Sequence, residues 1–179
     1  MRTPRQILAE AHTIAVVGAS RDPQKPAHWV PRMLQEQGWH IVPVNPHAGR
    51  LLGEHAYARL SDVPEHLDVV EVFRPAEEAE ELVKEAAAIG AGAIWLQLGI
   101  ASPRAQRLAE ELGLDYVQDT CMGMERALAD MVHGGCKPSC TVYHGLVPEP
   151  VGAPGSAEES PGAAGPSEAS QPGADRPAP

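Results

Sequence analysis

Aromatic residues are scarce in this chain: they form 4% of 179 residues, with one phenylalanine, three tryptophans and three tyrosines. A core must then come from Val, Ile, Leu and Ala, as in buried parallel strands. Cysteine is also rare. Cys121, Cys136 and Cys140 are an odd set of three, which gives no disulfide framework and fits a reducing compartment. No apolar run approaches the ~20 residues that span a bilayer. The opening residues, Met1-Arg2-Thr3-Pro4-Arg5-Gln6, lack the apolar stretch of a secretory leader, so the cytoplasm is the expected compartment. Positive charge is in deficit as well, with 14 Lys and Arg against 24 Asp and Glu and a net charge of -10. Such a surface repels nucleic acid and anionic membranes, so neither is expected as a partner.

What the chain does have is an alternation of strand and helix signals up to about Met131. Thr13–Val17 is a β-branched run that ends at Gly18. Helical spacing follows from Ala27 to Gln37, and Pro31 is expected in its first turn, where a missing N–H costs little. Ile41–Val44 reads as a second strand, weakened by Pro43. A third lies within Leu67–Phe73. Ala76–Ile89 is a helix with Glu77 and Glu78 early and Lys84 late, which matches its dipole. Ala93–Leu96 is the fourth strand. Ser102-Pro103 opens a helix that Gly113 closes. Leu114–Val117 is the fifth strand, and a short helix follows from about Met122.

Strands alternating with helices predict an α/β, Rossmann-like fold: a five-stranded parallel sheet with helices on both faces. With the first strand central, the expected order is 3-2-1-4-5. Ligands of such sheets bind beyond the strand C-termini, where the winding reverses. From about Val151 the composition shifts to Pro, Gly, Ala, Ser and Glu, which cannot bury enough apolar surface to order itself. The expected division is a folded domain over residues 1–133 and a largely disordered tail over 134–179.

The first strand-end loop is Gly18-Ala19-Ser20-Arg21-Asp22-Pro23-Gln24-Lys25. Gly18 permits a tight turn and close backbone approach. Ser20 offers a hydroxyl and an N–H to phosphate oxygens, and Arg21 and Lys25 add positive charge ahead of a helix N-terminus. An ordinary strand–helix turn with surface charges is the plainer alternative. The dinucleotide fingerprint and the Walker A loop are both missing, because Ser20 and Pro23 stand where the former needs glycine. Strand two ends in Val44-Asn45-Pro46, without the carboxylate that NAD-binding folds use on the ribose. A ribose carrying an extra phosphate is therefore not repelled, which admits coenzyme A and leaves NADP open.

Five segments, each at a strand end and in order, resemble the small stand-alone CoA-binding domain proteins of bacteria. That family is related to the CoA-binding domain of the succinyl-CoA synthetase α subunit and of NDP-forming acyl-CoA synthetases. The segments are Ile14–Ser20, Lys25–Pro31, Val42–Pro46, Val72–Pro75 and Trp95–Ile100. The resemblance implies that Gly18, Ala19 and Ser20 line the diphosphate, with Arg21 and Lys25 supplying charge. It implies Asn45 and Pro46 near the adenosine ribose, and Phe73, Arg74 and Pro75 along the adenine and pantetheine path. Gln97, Gly99 and Ile100 would approach the pantetheine arm. The expected ligand is CoA or an acyl-CoA.

The chain departs from the family at Glu125-Arg126, where the family often has Glu-His. Cys121 reads as a small buried residue or as a thiol near the ligand's sulfur. Cys136 and Cys140, with His133 and His144, read as surface residues or as part of a zinc site, and no metal is expected. No catalytic constellation appears, so a non-catalytic binder, carrier or sensor is expected rather than an enzyme. Two alternatives stand beside it: an NADP-linked oxidoreductase using the same cleft, and an adaptor acting through the tail.

Overall fold

A computed structural model describes residues 1–132, and the side chains of residues 1–129. The tail from residue 134, with Cys136 and Cys140, lies outside the described residues. Five parallel strands form the main sheet: β1 (Thr13–Val17), β2 (His40–Val44), β5 (Val69–Val72), β6 (Ala93–Leu96) and β7 (Asp115–Val117). Two short antiparallel strands, β3 (Arg50–Leu51) and β4 (Glu54–His55), form a separate hairpin. The helices are α1 (Pro4–Glu10), α2 (Pro26–Glu36), α3 (Ala79–Ala88), α4 (Pro103–Leu112) and α5 (Met122–Val132). Among the described residues no helix is long and apolar enough to cross a membrane.

The Rossmann-like α/β class stands, but the order of the strands is corrected. The sheet runs β2-β1-β5-β6-β7, so in terms of the five main strands it is 2-1-3-4-5 rather than 3-2-1-4-5. All four residues of β5 are fully buried, and β5 pairs with β1 on one side and β6 on the other. β2 contains Pro43, which has no N–H for a second neighbour, so β2 takes the edge. The winding still reverses beside β1, now between β1 and β5.

Alternate strand residues face two cores. Ile14, Val16, Ile41, Val69 and Trp95 meet α1, α2 and α5. Ala15, Val17, Val70, Ile94 and Leu96 meet α3 and α4. The helix ends carry visible stops. Ser102 Oγ accepts the Ala105 N–H at 3.2 Å, Pro103 is the first residue of α4, and Gly113 follows it at φ 71°. The helix expected from Ala76 begins as a 3-10 turn over Ala76–Glu78, so α3 proper starts at Ala79.

α1 and the hairpin were not anticipated. α1 carries a capping box: Thr3 Oγ1 accepts the Gln6 N–H at 3.3 Å and Gln6 Oε1 accepts the Thr3 N–H at 2.9 Å. The hairpin turns on Leu52 and Gly53, both at positive φ (54° and 82°), although leucine is an unusual residue there.

Trp95 is the largest fully buried side chain, and its Nε1–H donates to the Thr120 carbonyl at 2.7 Å, tying β6 to the segment that leads into α5. Trp95→Phe removes that donor and leaves space around the smaller ring. It should lower unfolding free energy by about 1–3 kcal/mol, read as a shift in urea midpoint.

Candidate functional site

The C-terminal ends of β1, β2 and β5 surround an open cleft of about 380 Å³, lined by Gly18, Ala19, Ser20, Arg21, Lys25, Asn45, His47 and Phe73. Five of the thirteen expected ligand residues come from the loop after β1, and all five lie here. A neighbouring cleft of about 320 Å³ shares Gly18, Asn45 and His47, and adds Pro46, Arg59, Leu60 and Arg74.

Gly18 is required twice over. Its φ is 88°, and a Cβ there would lie 3.0 Å from Arg74 Cδ and 3.1 Å from the Phe73 carbonyl oxygen. The loops after β1 and β5 therefore touch across a residue with no side chain.

The loop after β1 is then folded back on α2. The Ser20 N–H donates to the Ala27 carbonyl at 3.0 Å. Ala27 is four residues before Pro31, and Pro31 lies inside α2 rather than in its first turn, which corrects the sequence expectation. Proline cannot supply the helical N–H that would otherwise meet Ala27, so that carbonyl is left for Ser20. The structure thus commits the Ser20 N–H that was expected to meet a phosphate. Ser20 Oγ accepts the Asp22 N–H at 3.1 Å, and the Ser20 carbonyl sits 2.7 Å from His28 Nδ1.

Asn45 is committed likewise. Its Nδ2 donates to the Ala19 carbonyl at 2.8 Å and its Oδ1 accepts the His47 N–H at 2.8 Å, bracing the loops after β1 and β2 together. Arg21 Nη2 donates to the His47 carbonyl at 2.9 Å across the same gap. Among the described residues, the N–H groups of Ala19 and Arg21 and the Lys25 ammonium have no hydrogen-bond partner. They are the donors left for a ligand. α2 starts at Pro26 with no side-chain cap on Lys25, so its positive end also opens here.

The remaining expected residues spread along the same sheet edge. Phe73 is half-buried against the core, and Arg74 makes two bonds to Glu78, at 2.9 and 2.7 Å. Pro75 caps the 3-10 turn beyond them. Gln97, Gly99 and Ile100 follow β6 and line neither cleft. Gln97 is buried and points inward: its Nε2 donates to Glu71 Oε1 at 3.1 Å and its Oε1 accepts the Leu98 N–H at 2.9 Å. Gly99 has φ 83° and donates its N–H to Asp119 Oδ1 at 2.7 Å.

Cys121, just before α5, is buried in the core. Burial pushes its thiol pKa up, partly offset by the N–H groups of Met124 and Gly123, and Glu71 adds to the rise. A protonated thiol is a weak nucleophile. At the family's Glu-His position, Glu125 lies 4.0 Å from Arg5, and the Arg126 guanidinium stands 5.3 Å from the Trp39 ring centre.

Sequence reasoning missed His47, Arg59 and Glu71. His47 was reachable, since it follows Asn45-Pro46 directly. Glu71 had a signal too: one carboxylate inside the run Val69-Val70-Glu71-Val72. It is fully buried, and burial raises its pKa from 4.5 to about 8.

A doubly wound parallel sheet with donors gathered at its reversal point defines a nucleotide-binding class of α/β protein. Within that class the chain belongs to the CoA binding domain family, whose model matches residues 12–127. It is 32% identical over 124 residues to the uncharacterized protein YneT of Bacillus subtilis, covering 69% of this chain and 92% of that protein. It is 33% identical over 90 residues to acetate–CoA ligase [ADP-forming] II of Archaeoglobus fulgidus, covering 49% of this chain but only 13% of the ligase. A solved structure of cell-free ID.343 from Thermus thermophilus is 43% identical and superposes with a TM-score of 0.66, over 69% of this chain and 94% of that one.

Replacing Gly18 tests the crossing of the two loops. Gly18→Ala forces a side chain into positive φ and against the Phe73 backbone, and should cost about 1–3 kcal/mol. Thermal and urea unfolding would read that loss.

Proposed function

We propose that this protein binds CoA or an acyl-CoA at the C-terminal edge of its sheet, as a cytoplasmic carrier or sensor that does no chemistry on its ligand. The observation that carries this reading is the convergence on one cleft of the free Ala19 and Arg21 N–H groups, the Lys25 ammonium and the open end of α2. Main-chain donors beside a helix N-terminus suit a diphosphate, and the two cations add charge complementarity to a chain that is acidic as a whole.

Membership of the family supports the ligand class. The ADP portion of the ligand is assigned to the two adjoining clefts. The second is bordered by Arg59 and Arg74, which pair with Asp62 and Glu78, and by Glu85. The pantetheine arm is assigned to the edge beyond Phe73, toward Gln97, Gly99 and Ile100. Cys121 sits beyond that end in the core. Residues 1–133 are assigned as the binding domain, with the tail taking no part in holding the ligand.

The non-catalytic reading rests on what the site residues do. Asn45, Ser20 and Gln97 use their polar groups to brace loops, and the Cys121 thiol is held in its protonated form. The relatives' ligase activity belongs to a protein of which this chain matches a small fraction.

Isothermal titration of the purified protein with CoA, acetyl-CoA and NADPH tests the assignment. CoA or its thioester should bind and NADPH should not; heat with NADPH alone would overturn it in favour of an oxidoreductase. Ser20→Asp sets a like charge against the diphosphate and should weaken CoA binding by about a hundredfold or more. Unchanged affinity would move the ligand elsewhere.

A further inference from the structure

Among the described residues, Glu71 is the buried carboxyl that the proposed binding mode leaves unused. It lies at the centre of β5, paired in register with Val16 on β1 and Trp95 on β6. Its side chain is fully buried on the face covered by α1, α2 and α5. Oε1 accepts the Gln97 amide, while Oε2 has no hydrogen-bond partner among the described residues. A buried acid so placed is stable only while it holds its proton.

Among the described residues no cation pairs with it, and burial raises its pKa. The charged groups on the covering elements are engaged elsewhere. On α1 and α5, Glu10 pairs with Arg2, Arg5 with Glu125, and Arg126 lies over Trp39. On α2, His28 bonds the Ser20 carbonyl and Arg32 pairs with Glu36. Lys25, at the head of α2, lines the open cleft. Beyond β7, Asp119 holds the Gly99 N–H. The group that does sense Glu71 is the thiol of Cys121, at the head of α5.

The Gln97 side chain joins this acid to the surface. One end is held by Glu71 and the other receives the Leu98 N–H, so two hydrogen bonds link the carboxyl to the turn that follows β6. Gly99, at positive φ, and Ile100, whose N–H donates to the Gln97 carbonyl at 2.9 Å, complete that turn. We propose that Glu71 is a positioning residue for the far arm of the ligand: its hydrogen bond to Gln97 shapes the Leu98–Ile100 turn, and ionisation, which would leave charge on a buried Oε2 that no group donates to, opens that turn to bring in water. The coupling to ligand rests on the CoA-binding reading; the latch itself does not.

Two measurements on wild type and Glu71→Gln separate the two. Glutamine keeps an acceptor for Gln97 and cannot ionise. The first is amide exchange at Leu98, corrected for the intrinsic pH dependence of exchange. Opening lets the acid ionise at its ordinary pKa of 4.5, whereas closed it holds its proton to about 8. Protection should therefore fall by up to about tenfold per pH unit between those limits in wild type, level off above, and stay flat in Glu71→Gln. Flat wild-type protection, a slope shared by the variant, or protection equal to that of the Ile94 amide at every pH would overturn the latch.

The second is affinity for acetyl-CoA, whose sulfur does not titrate, against 3′,5′-ADP, which lacks the pantetheine arm. The wild-type preference for acetyl-CoA should drop by about tenfold more between about pH 6 and pH 9 than that of Glu71→Gln, which reports the ionisation of the 5′-phosphate of 3′,5′-ADP alone. A change shared equally by wild type and variant would overturn the positioning role. If neither compound bound at any pH, the CoA reading would fail, while the Leu98 data would still decide the latch.

Discussion

The bond from the Ser20 N–H to the Ala27 carbonyl organises this protein's binding edge. It exists because Pro31, one turn further along α2, has no hydrogen to offer that carbonyl. A proline inside a helix ordinarily costs about 3 kcal/mol, part of it through the orphaned acceptor. Here the acceptor is not orphaned. The loop after β1 satisfies it, and in doing so bends back over the start of α2, which brings Arg21, Lys25 and the open end of the helix to the same place. The helix defect and the loop conformation are two sides of one arrangement.

Around that point the three strand-end loops are bound to one another rather than to solvent. Asn45 ties the second loop to the first, Arg21 reaches back to the second, and Gly18 lets the loop after β5 come within contact distance. Cross-bracing of this kind uses up most of the side-chain polarity that sequence reasoning assigned to the ligand. What it leaves is main-chain N–H groups with fixed directions, better suited to phosphate oxygens than flexible side chains are. Preorganisation of the loops is thus a contribution of Ser20, Arg21 and Asn45.

The fold class was legible because hydrophobic pattern and helix stops agree along the chain. β1 and β6 were read at their exact bounds, and Ser102, Pro103 and Gly113 bracket α4 as their chemistry requires. The strand order was not legible from periodicity, which is blind to which strands are neighbours. The useful clue was Pro43, taken as a weakness in the strand when it marked the edge. α1 was missed although Thr3-Pro4-Arg5-Gln6 spells a capping box, and the hairpin was missed because Leu52 does not look like a turn residue. At the cleft, position was readable and role was not. Sequence tells that Ser20 and Asn45 stand at strand ends, but only the fold shows which of their hydrogen bonds are already taken. Glu71 escaped for a related reason: a carboxylate in a strand reads as solvent-facing until burial on every side is seen.

Pro43 has a last consequence. On the outer side of β2 its carbonyl accepts the Tyr57 N–H at 2.9 Å, and the Asn45 N–H donates to the Tyr57 carbonyl at 2.8 Å. The chain returns just far enough to occupy the groups that flank a residue unable to donate. A foreign strand arriving at this rim finds these two docking points taken and one rung of the ladder missing. The ribbon is thereby a poor template for further growth on this side, and molecules crowded together gain little by zipping into fibres along it.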